Sequence, residues 1–156
     1  MDSPITVTLP DLEATGRLAA RIAPLLRPGD AVLLEGPLGA GKSAFARALL
    51  RALAGDPALE VPSPSFTLVQ SYDLPGGWEA HHFDLYRLEG PGDLTELGWE
   101  EARRGLVLVE WPERLGTERP GGALLVRMAY GAGEEERVAT LSGWEGRPGP
   151  GIGPSA

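Results

Sequence analysis

The sequence predicts an α/β sandwich: a central, mostly parallel sheet flanked by helices, with antiparallel strands at the edge. Three observations carry that prediction. Helical and extended patterns alternate along the chain. Two short aliphatic runs, residues 31–34 and 106–109, read as strands buried on both faces, and a glutamate follows each. A glycine-rich stretch stands directly between the first of these runs and a strong helical pattern.

The elements follow in order. Ile5, Val7 and Leu9 alternate with Thr6 and Thr8, a short strand that Pro10 closes. Asp11 suits a helix N-cap, and Leu18, Ile22, Leu25 and Leu26 fall near helical spacing, so a helix is expected from Leu12 to about Leu26. Arg27-Pro28-Gly29-Asp30 is turn chemistry. A strand over 31–35 then leads through glycines to a helix over 42–53, rich in Ala, Leu and Arg, with Gly55 just past its end. Val61-Pro62-Ser63-Pro64 must be a loop, because residues that precede proline avoid helical backbone. Residues 66–72 and 79–86 read as strands around Pro75-Gly76-Gly77. A helix is expected over 93–104, with Gly98 as an interruption and Gly105 as its stop. After the strand at 106–109, residues 123–130 and 137–141 read as a hairpin. From Gly146 onward seven of the eleven residues are Gly or Pro, which predicts a disordered tail behind a single domain of residues 1–145.

Composition narrows the function. A chain of 156 residues that is 42% apolar has enough material for one compact core. No apolar run approaches the roughly 18 residues of a membrane span. Without cysteine there is no disulfide framework, thiolate metal site or Cys nucleophile. The first residues lack the pattern of a secretion signal, so a cytoplasmic protein is expected. The net charge of −8 argues against autonomous binding to RNA or DNA, which draws most of its affinity from cations against phosphate. Of the 14 cations 13 are arginine, and the single lysine is Lys42. A compact ammonium kept at one position in an arginine-rich chain points to a role that a planar guanidinium does not fill.

Lys42 stands in Gly36-x4-Gly41-Lys42-Ser43, a complete phosphate-binding loop between a predicted strand and a predicted helix. Glycines let backbone amides converge on phosphate oxygens, and the helix presents its positive end to the same anion. Lys42 would reach the β- and γ-phosphates of a nucleotide, and the Ser43 hydroxyl would ligate Mg²⁺. Such a site also needs an acid. Glu110 ends the buried run at 106–109, where open α/β sheets place ligand-contacting groups, and could bind a metal water or orient an attacking one. Read alone, it is equally an ordinary polar strand end. Asp84, framed by Phe83 and Leu85, is a second acid, although a lone Asp there also suits a turn or an ion pair. His81 and His82 are adjacent, so on a strand they face opposite ways and make no metal pair. The four tryptophans suit core or rim better than base stacking. Leu141-Ser142-Gly143-Trp144 lacks the following glycine and glutamine of a transporter-ATPase signature.

Four blocks, in this order and spacing, resemble the TsaE family of bacterial ATPases. They are residues 36–43, Ser63-Pro64-Ser65-Phe66-Thr67-Leu68-Val69, His82-Phe83-Asp84-Leu85-Tyr86-Arg87-Leu88 and Leu108-Val109-Glu110-Trp111-Pro112-Glu113. The resemblance covers roughly residues 12–113 and implies a P-loop NTPase-like sandwich. It also implies a Mg²⁺-dependent ATPase needed for tRNA N6-threonylcarbamoyladenosine formation, working with the partner proteins TsaD and TsaB and touching tRNA only indirectly. By matching position, it places Leu38, Gly39, Ala40, Gly41, Lys42 and Ser43 on ATP, and Ser43 and Glu110 on Mg²⁺. Asp84 falls near the metal and γ-phosphate, Thr67 in a switch-like loop, and Leu12 and Thr15 near the adenine. Lys42, Glu110 and Asp84 form the expected catalytic set. Ser43 and Ser65 stand where the family usually has threonine, and each keeps the hydroxyl.

Two other functions fit the same loop. A small-molecule kinase would need an arginine-bearing lid, for which the segment after Glu110 offers only Arg114 and Arg119. A non-catalytic, nucleotide-gated scaffold would use ATP to order residues 63–69 for docking. No arginine is placed by the sequence as an internal charge-stabilising finger; Arg87 suits an ion pair equally well.

Overall fold

The structure, a computed structural model, describes residue 1 and residues 3–151. One seven-stranded sheet organises it: β1 (Ile5–Leu9), β2 (Ala31–Glu35), β3 (Val69–Leu74), β4 (Trp78–Asp84), β5 (Leu106–Glu110), β6 (Leu124–Tyr130) and β7 (Arg137–Gly143). The spatial order is β1-β7-β6-β2-β5-β4-β3. Strands β6, β2, β5 and β4 run parallel, as the expected fold class requires. Antiparallel strands close both edges, β7 and β1 on one side and β3 on the other. Helices α1 (Leu12–Ile22) and α2 (Lys42–Ala54) cover one face, and the short α3 (Pro91–Glu96) and α4 (Trp99–Ala102) belong to the other.

The pleat assigns each residue to a face. Val32, Leu34, Leu106 and Leu108 join Leu18 and Ile22 of α1 and Phe45, Leu49 and Leu50 of α2 in one core cluster. Ala31, Leu33, Phe83, Val107 and Val109 pack with Leu94, Trp99 and Leu115 on the opposite face. There the Phe83 and Trp99 rings meet edge-on, with centroids 5.1 Å apart. Burying such side chains contributes about 1.5–3 kcal/mol each, which makes these two layers the main source of stability. Counting by twos along β4 and β5 puts His82, Asp84 and Glu110 on the α2 face. In the register Asp84 pairs with Glu110, and Glu110 pairs with Leu34. Both carboxylates therefore emerge at the C-terminal edge of the parallel strands, beside the turn that leads into α2.

Several elements differ from the sequence expectation for local reasons. Asp11 caps α1 through Oδ1, which accepts from the Ala14 amide at 2.9 Å, but the α-helix stops at Ile22. A 3-10 turn over Ala23–Leu25 follows, because Pro24 has no N–H to continue the helical ladder. Strand β3 begins at Val69, three residues later than expected. Leu68 adopts a positive φ of 69°, and its amide is bonded to Pro64 O at 2.7 Å, which folds residues 64–68 into a turn. The helix expected over 93–104 starts at Pro91 and is broken in two at Gly98, whose φ is 79°. The tail expected to be disordered from Gly146 is anchored at its start, where Arg147 forms an ion pair with Asp30 at 2.7 Å and donates to Leu25 O. Residues 152–156 lie outside the described residues. Among the described residues no helix is long and apolar enough to cross a membrane.

Candidate functional site

The turn from β2 to α2 is shaped by glycines at two places where no other residue fits. Gly36 has φ 142°, and a Cβ there would sit 2.3 Å from Met128 O on the neighbouring β6. Gly41, with φ 102°, precedes α2 in a left-handed conformation and carries no side chain to cap the helix. The first amides of this 13-residue helix are thereby open to an anion, with the helix dipole behind them. A cavity of about 290 Å³ lies over this end, lined by residues that include Leu38, Gly39, Lys42, Ser65, Asp84 and Trp111.

Lys42 is 5% exposed. Its Nζ donates to Gly36 O, lies 3.5 Å from Pro37 O and stands 3.6 Å from the centroid of the Trp111 ring. Burial pushes its pKa below the ordinary lysine value, against the opposing pull of Glu110, Glu113 and Asp84. This ammonium is desolvated and, among the described residues, its direct contacts are carbonyls and a ring face, so an incoming anion would gain a strong partner.

Facing it are the two carboxylates. Glu110 is 2% exposed; Oε1 accepts from Ser43 Oγ at 3.0 Å and Oε2 lies 2.7 Å from His82 Nε2. Asp84 Oδ1 accepts from the Tyr86 amide at 3.1 Å, and its Oδ2 accepts a long 3.5 Å bond from Ser65 Oγ. Burial pushes the Asp84 carboxyl above the usual range; the Tyr86 amide opposes this and the charge of Glu110 adds to it. Hydroxyl and carboxylate oxygens are the donors a hard cation takes. Among the described residues no group of three or more His, Cys, Asp or Glu could hold an ion by itself. That donor set fits Mg²⁺, which keeps several waters and binds through one or two protein ligands together with phosphate oxygens.

A second cavity, of about 300 Å³, adjoins the first along Gly39, Gly41 and Ala44 and is lined by Leu12, Thr15, Glu134, Glu135 and Arg137. The sequence-derived residues thus divide between two connected spaces: Leu38, Lys42, Ser43, Asp84 and Glu110 in one, Leu12 and Thr15 in the other, with Gly39 and Gly41 common to both. Ala40 is buried behind the loop, its amide 3.2 Å from Pro37 O. Thr67 lines neither cavity; its Oγ1 accepts from Gln70 Nε2 at 3.2 Å in the turn beside Phe66.

Sequence reading missed the hairpin side. Tyr130 Oη donates to Leu38 O, and Arg137 Nη2 donates to Gly39 O at 3.3 Å, so β6 and β7 brace the loop from outside. No local signal marks these residues; they reach the loop only because β6 pairs with β2. His82, to which the sequence gives no metal role, abuts Glu110, while His81 on the opposite face meets Ser71 Oγ at 2.7 Å. The spacing of two between His82 and Asp84 on one strand was the available signal.

The family model described as threonylcarbamoyl adenosine biosynthesis protein TsaE matches residues 9–138. The chain is 44% identical over 107 residues to the tRNA threonylcarbamoyladenosine biosynthesis protein TsaE of Rickettsia conorii, covering 68% of this chain and 60% of that relative. It is 36% identical over 137 residues to the protein of the same name from a Nostoc species, covering 84% of this chain and 82% of that one. The solved structure of Bacillus subtilis YdiB superposes with a TM-score of 0.71 at 29% identity, covering 92% of this chain and 87% of that chain. The family match runs from the end of β1 into the first residues of β7 and takes in every residue placed around the two cavities; the chain belongs to the TsaE family of threonylcarbamoyl adenosine biosynthesis proteins.

Proposed function

We propose that this chain is a Mg²⁺-dependent ATPase of tRNA N6-threonylcarbamoyladenosine synthesis, working in the cytoplasm with the TsaD and TsaB proteins. The names of its relatives support the pathway. The observation that carries the enzymatic reading is the Glu110 carboxylate 3.0 Å from Ser43 Oγ, at the mouth of an uncapped, glycine-shaped helix end. Those are the two oxygens a nucleotide-bound cation would need, and they come from segments 67 residues apart.

Mg²⁺, when bound, would neutralise charge on the β- and γ-phosphate oxygens. The chain's own residues do the rest. Loop amides and the start of α2 bind the phosphates. Lys42 leaves its carbonyl and ring contacts for the β/γ oxygens, where a desolvated ammonium is worth more than it is in water. Glu110, held toward the loop by Ser43, orients the attacking water and accepts its proton, with Asp84 beside it as a second oxygen donor. Leu12 and Thr15 receive the adenine in the adjoining cavity.

Among the described residues, no arginine lines the phosphate-loop cavity. Arg114 donates to Leu88 O at 3.4 Å, Arg119 pairs with Glu35 at 3.0 Å and Arg87 lies over the Phe66 ring. Both lid candidates of a kinase are thus occupied elsewhere, which disfavours that rival. The same fact supports slow hydrolysis by the isolated chain and acceleration by a partner that completes the charge. The test is phosphate release from Mg·ATP by the chain alone and with TsaD and TsaB. A rate increase in the complex is expected. Equal rates would remove the partner from the mechanism, and no hydrolysis in either case would remove the ATPase.

A further inference from the structure

Glu110 is gripped from two sides, and only one grip belongs to the nucleotide loop. Its Oε1 accepts from Ser43, whereas its Oε2 lies 2.7 Å from the Nε2 of His82, a residue with no part in the reading above. His82 is 2% exposed, and its other ring nitrogen, Nδ1, is buried without a hydrogen-bond partner among the described residues. Leaving a ring nitrogen bare in a buried layer costs stability, so a purely structural role would favour an aliphatic side chain at this position. Among the described residues, the only hydrogen bond made by the imidazole is the one to Glu110. The register explains the contact: His82 pairs with Leu108 and Asp84 with Glu110, so 82 and 110 are diagonal neighbours on the α2 face. A carboxylate only accepts, so the network assigns a proton to Nε2.

We propose that His82 is a positioning residue that pins Oε2 of Glu110 through its Nε2–H, turning Oε1 toward Ser43 and the phosphate-loop cavity as a preformed donor for the divalent cation of the nucleotide complex. The inference rests on the Mg·ATP reading above. Without the pin, a glutamate with three rotatable bonds samples other directions and must be ordered when the cation arrives. Hydrogen bonds behind a metal ligand act in this way, and their loss typically weakens metal binding by roughly 10–100-fold.

The test uses the full chain and Mn²⁺, an oxygen-seeking cation that electron paramagnetic resonance detects directly. Mn²⁺ affinity is measured with a non-hydrolysable ATP analogue present, and analogue affinity is measured separately in chelator. His82→Leu is expected to weaken Mn²⁺ binding by roughly 10–100-fold while metal-free analogue affinity holds. His82→Gln, which restores an N–H, is expected to recover most of the loss. Wild-type Mn²⁺ affinity in His82→Leu overturns the inference, as does an equal loss of metal-free nucleotide binding, which marks a structural role. Nitrogen NMR of the wild-type imidazole gives an answer even if the variants fail to fold: a protonated Nε2 is expected, and the opposite tautomer overturns the proposal. If the wild-type chain binds no Mn²⁺ with the analogue, the Mg·ATP reading falls and takes this inference with it. An unaffected His82→Leu removes the inference alone.

Discussion

Replacing Glu110 by glutamine separates what the carboxylate does for chemistry from what it does for the fold. In the wild-type arrangement Oε1 accepts from Ser43 and Oε2 meets His82 Nε2. A carboxamide of the same shape turns its oxygen to His82 and its NH₂ to the Ser43 hydroxyl, so both contacts survive. Stability should then stay within about 1 kcal/mol, or roughly 2–4 °C in Tm for a domain of this size. The negative charge is lost, however, and with it the group that the proposed mechanism uses to orient and deprotonate water. A positioned acid–base group contributes roughly 10²–10⁴-fold. At about 1.36 kcal/mol per decade this corresponds to ~2.7–5.5 kcal/mol on the barrier. Glu110→Ala is the contrasting variant, because it also strands His82 Nε2 in a buried layer and should lower stability by about 1–3 kcal/mol. Phosphate-release kinetics give kcat and KM, and thermal unfolding gives the stability of both variants. The reasoning fails if Glu110→Gln keeps kcat within about 3-fold of wild type, since the expected loss is at least tenfold larger. It fails equally if the glutamine variant unfolds as early as the alanine one.

Three further outcomes can be checked. Lys42→Met should abolish detectable Mg·ATP binding. In the nucleotide-free wild type the Lys42 pKa lies below 10.5 through burial, so stability rises as pH climbs from that lowered value toward 10.5. The methionine variant should lose this slope in urea titrations across alkaline pH. Asp84 has its carboxyl pushed above 3.8, so the ionised form weakens the fold at neutral pH and this cost fades as pH falls through the raised value. Asp84→Asn should therefore give a higher unfolding midpoint than wild type at pH 7, with the difference shrinking in acid, while ATP turnover drops. Gly36→Ala would bring a Cβ to 2.3 Å from Met128 O. Positive φ alone costs about 1–2 kcal/mol for a non-glycine residue. With the clash added, Tm should fall by more than about 5 °C, measured by calorimetry, and nucleotide binding should weaken.

The glycine-rich loop and its setting between strand and helix were legible in the linear sequence because their physics is local. Positive φ at Gly36 and Gly41, a buried strand before them and a good helix behind them are constraints acting over a few residues. The same holds for the Asp11 cap and for the break at Gly98. Where local rules failed, they competed with other local chemistry: Pro24 ended α1 early, and the turn at Leu68 withheld Phe66 from β3, leaving it 82% exposed.

What residue patterns alone determined, then, was the fold class, the glycine-shaped turn into α2 and the positions of the two candidate acids at the strand ends. Tertiary structure decided which groups those acids meet. Asp84 and Glu110 became neighbours only when β4 and β5 paired in one register, and a slip of one residue would have sent both to the opposite face. His82 came to stand behind Glu110, and Arg137 and Tyr130 came to brace the loop, through strand pairings between segments far apart in the chain. Such pairings are chosen by the burial of whole layers, and no short stretch of residues encodes them.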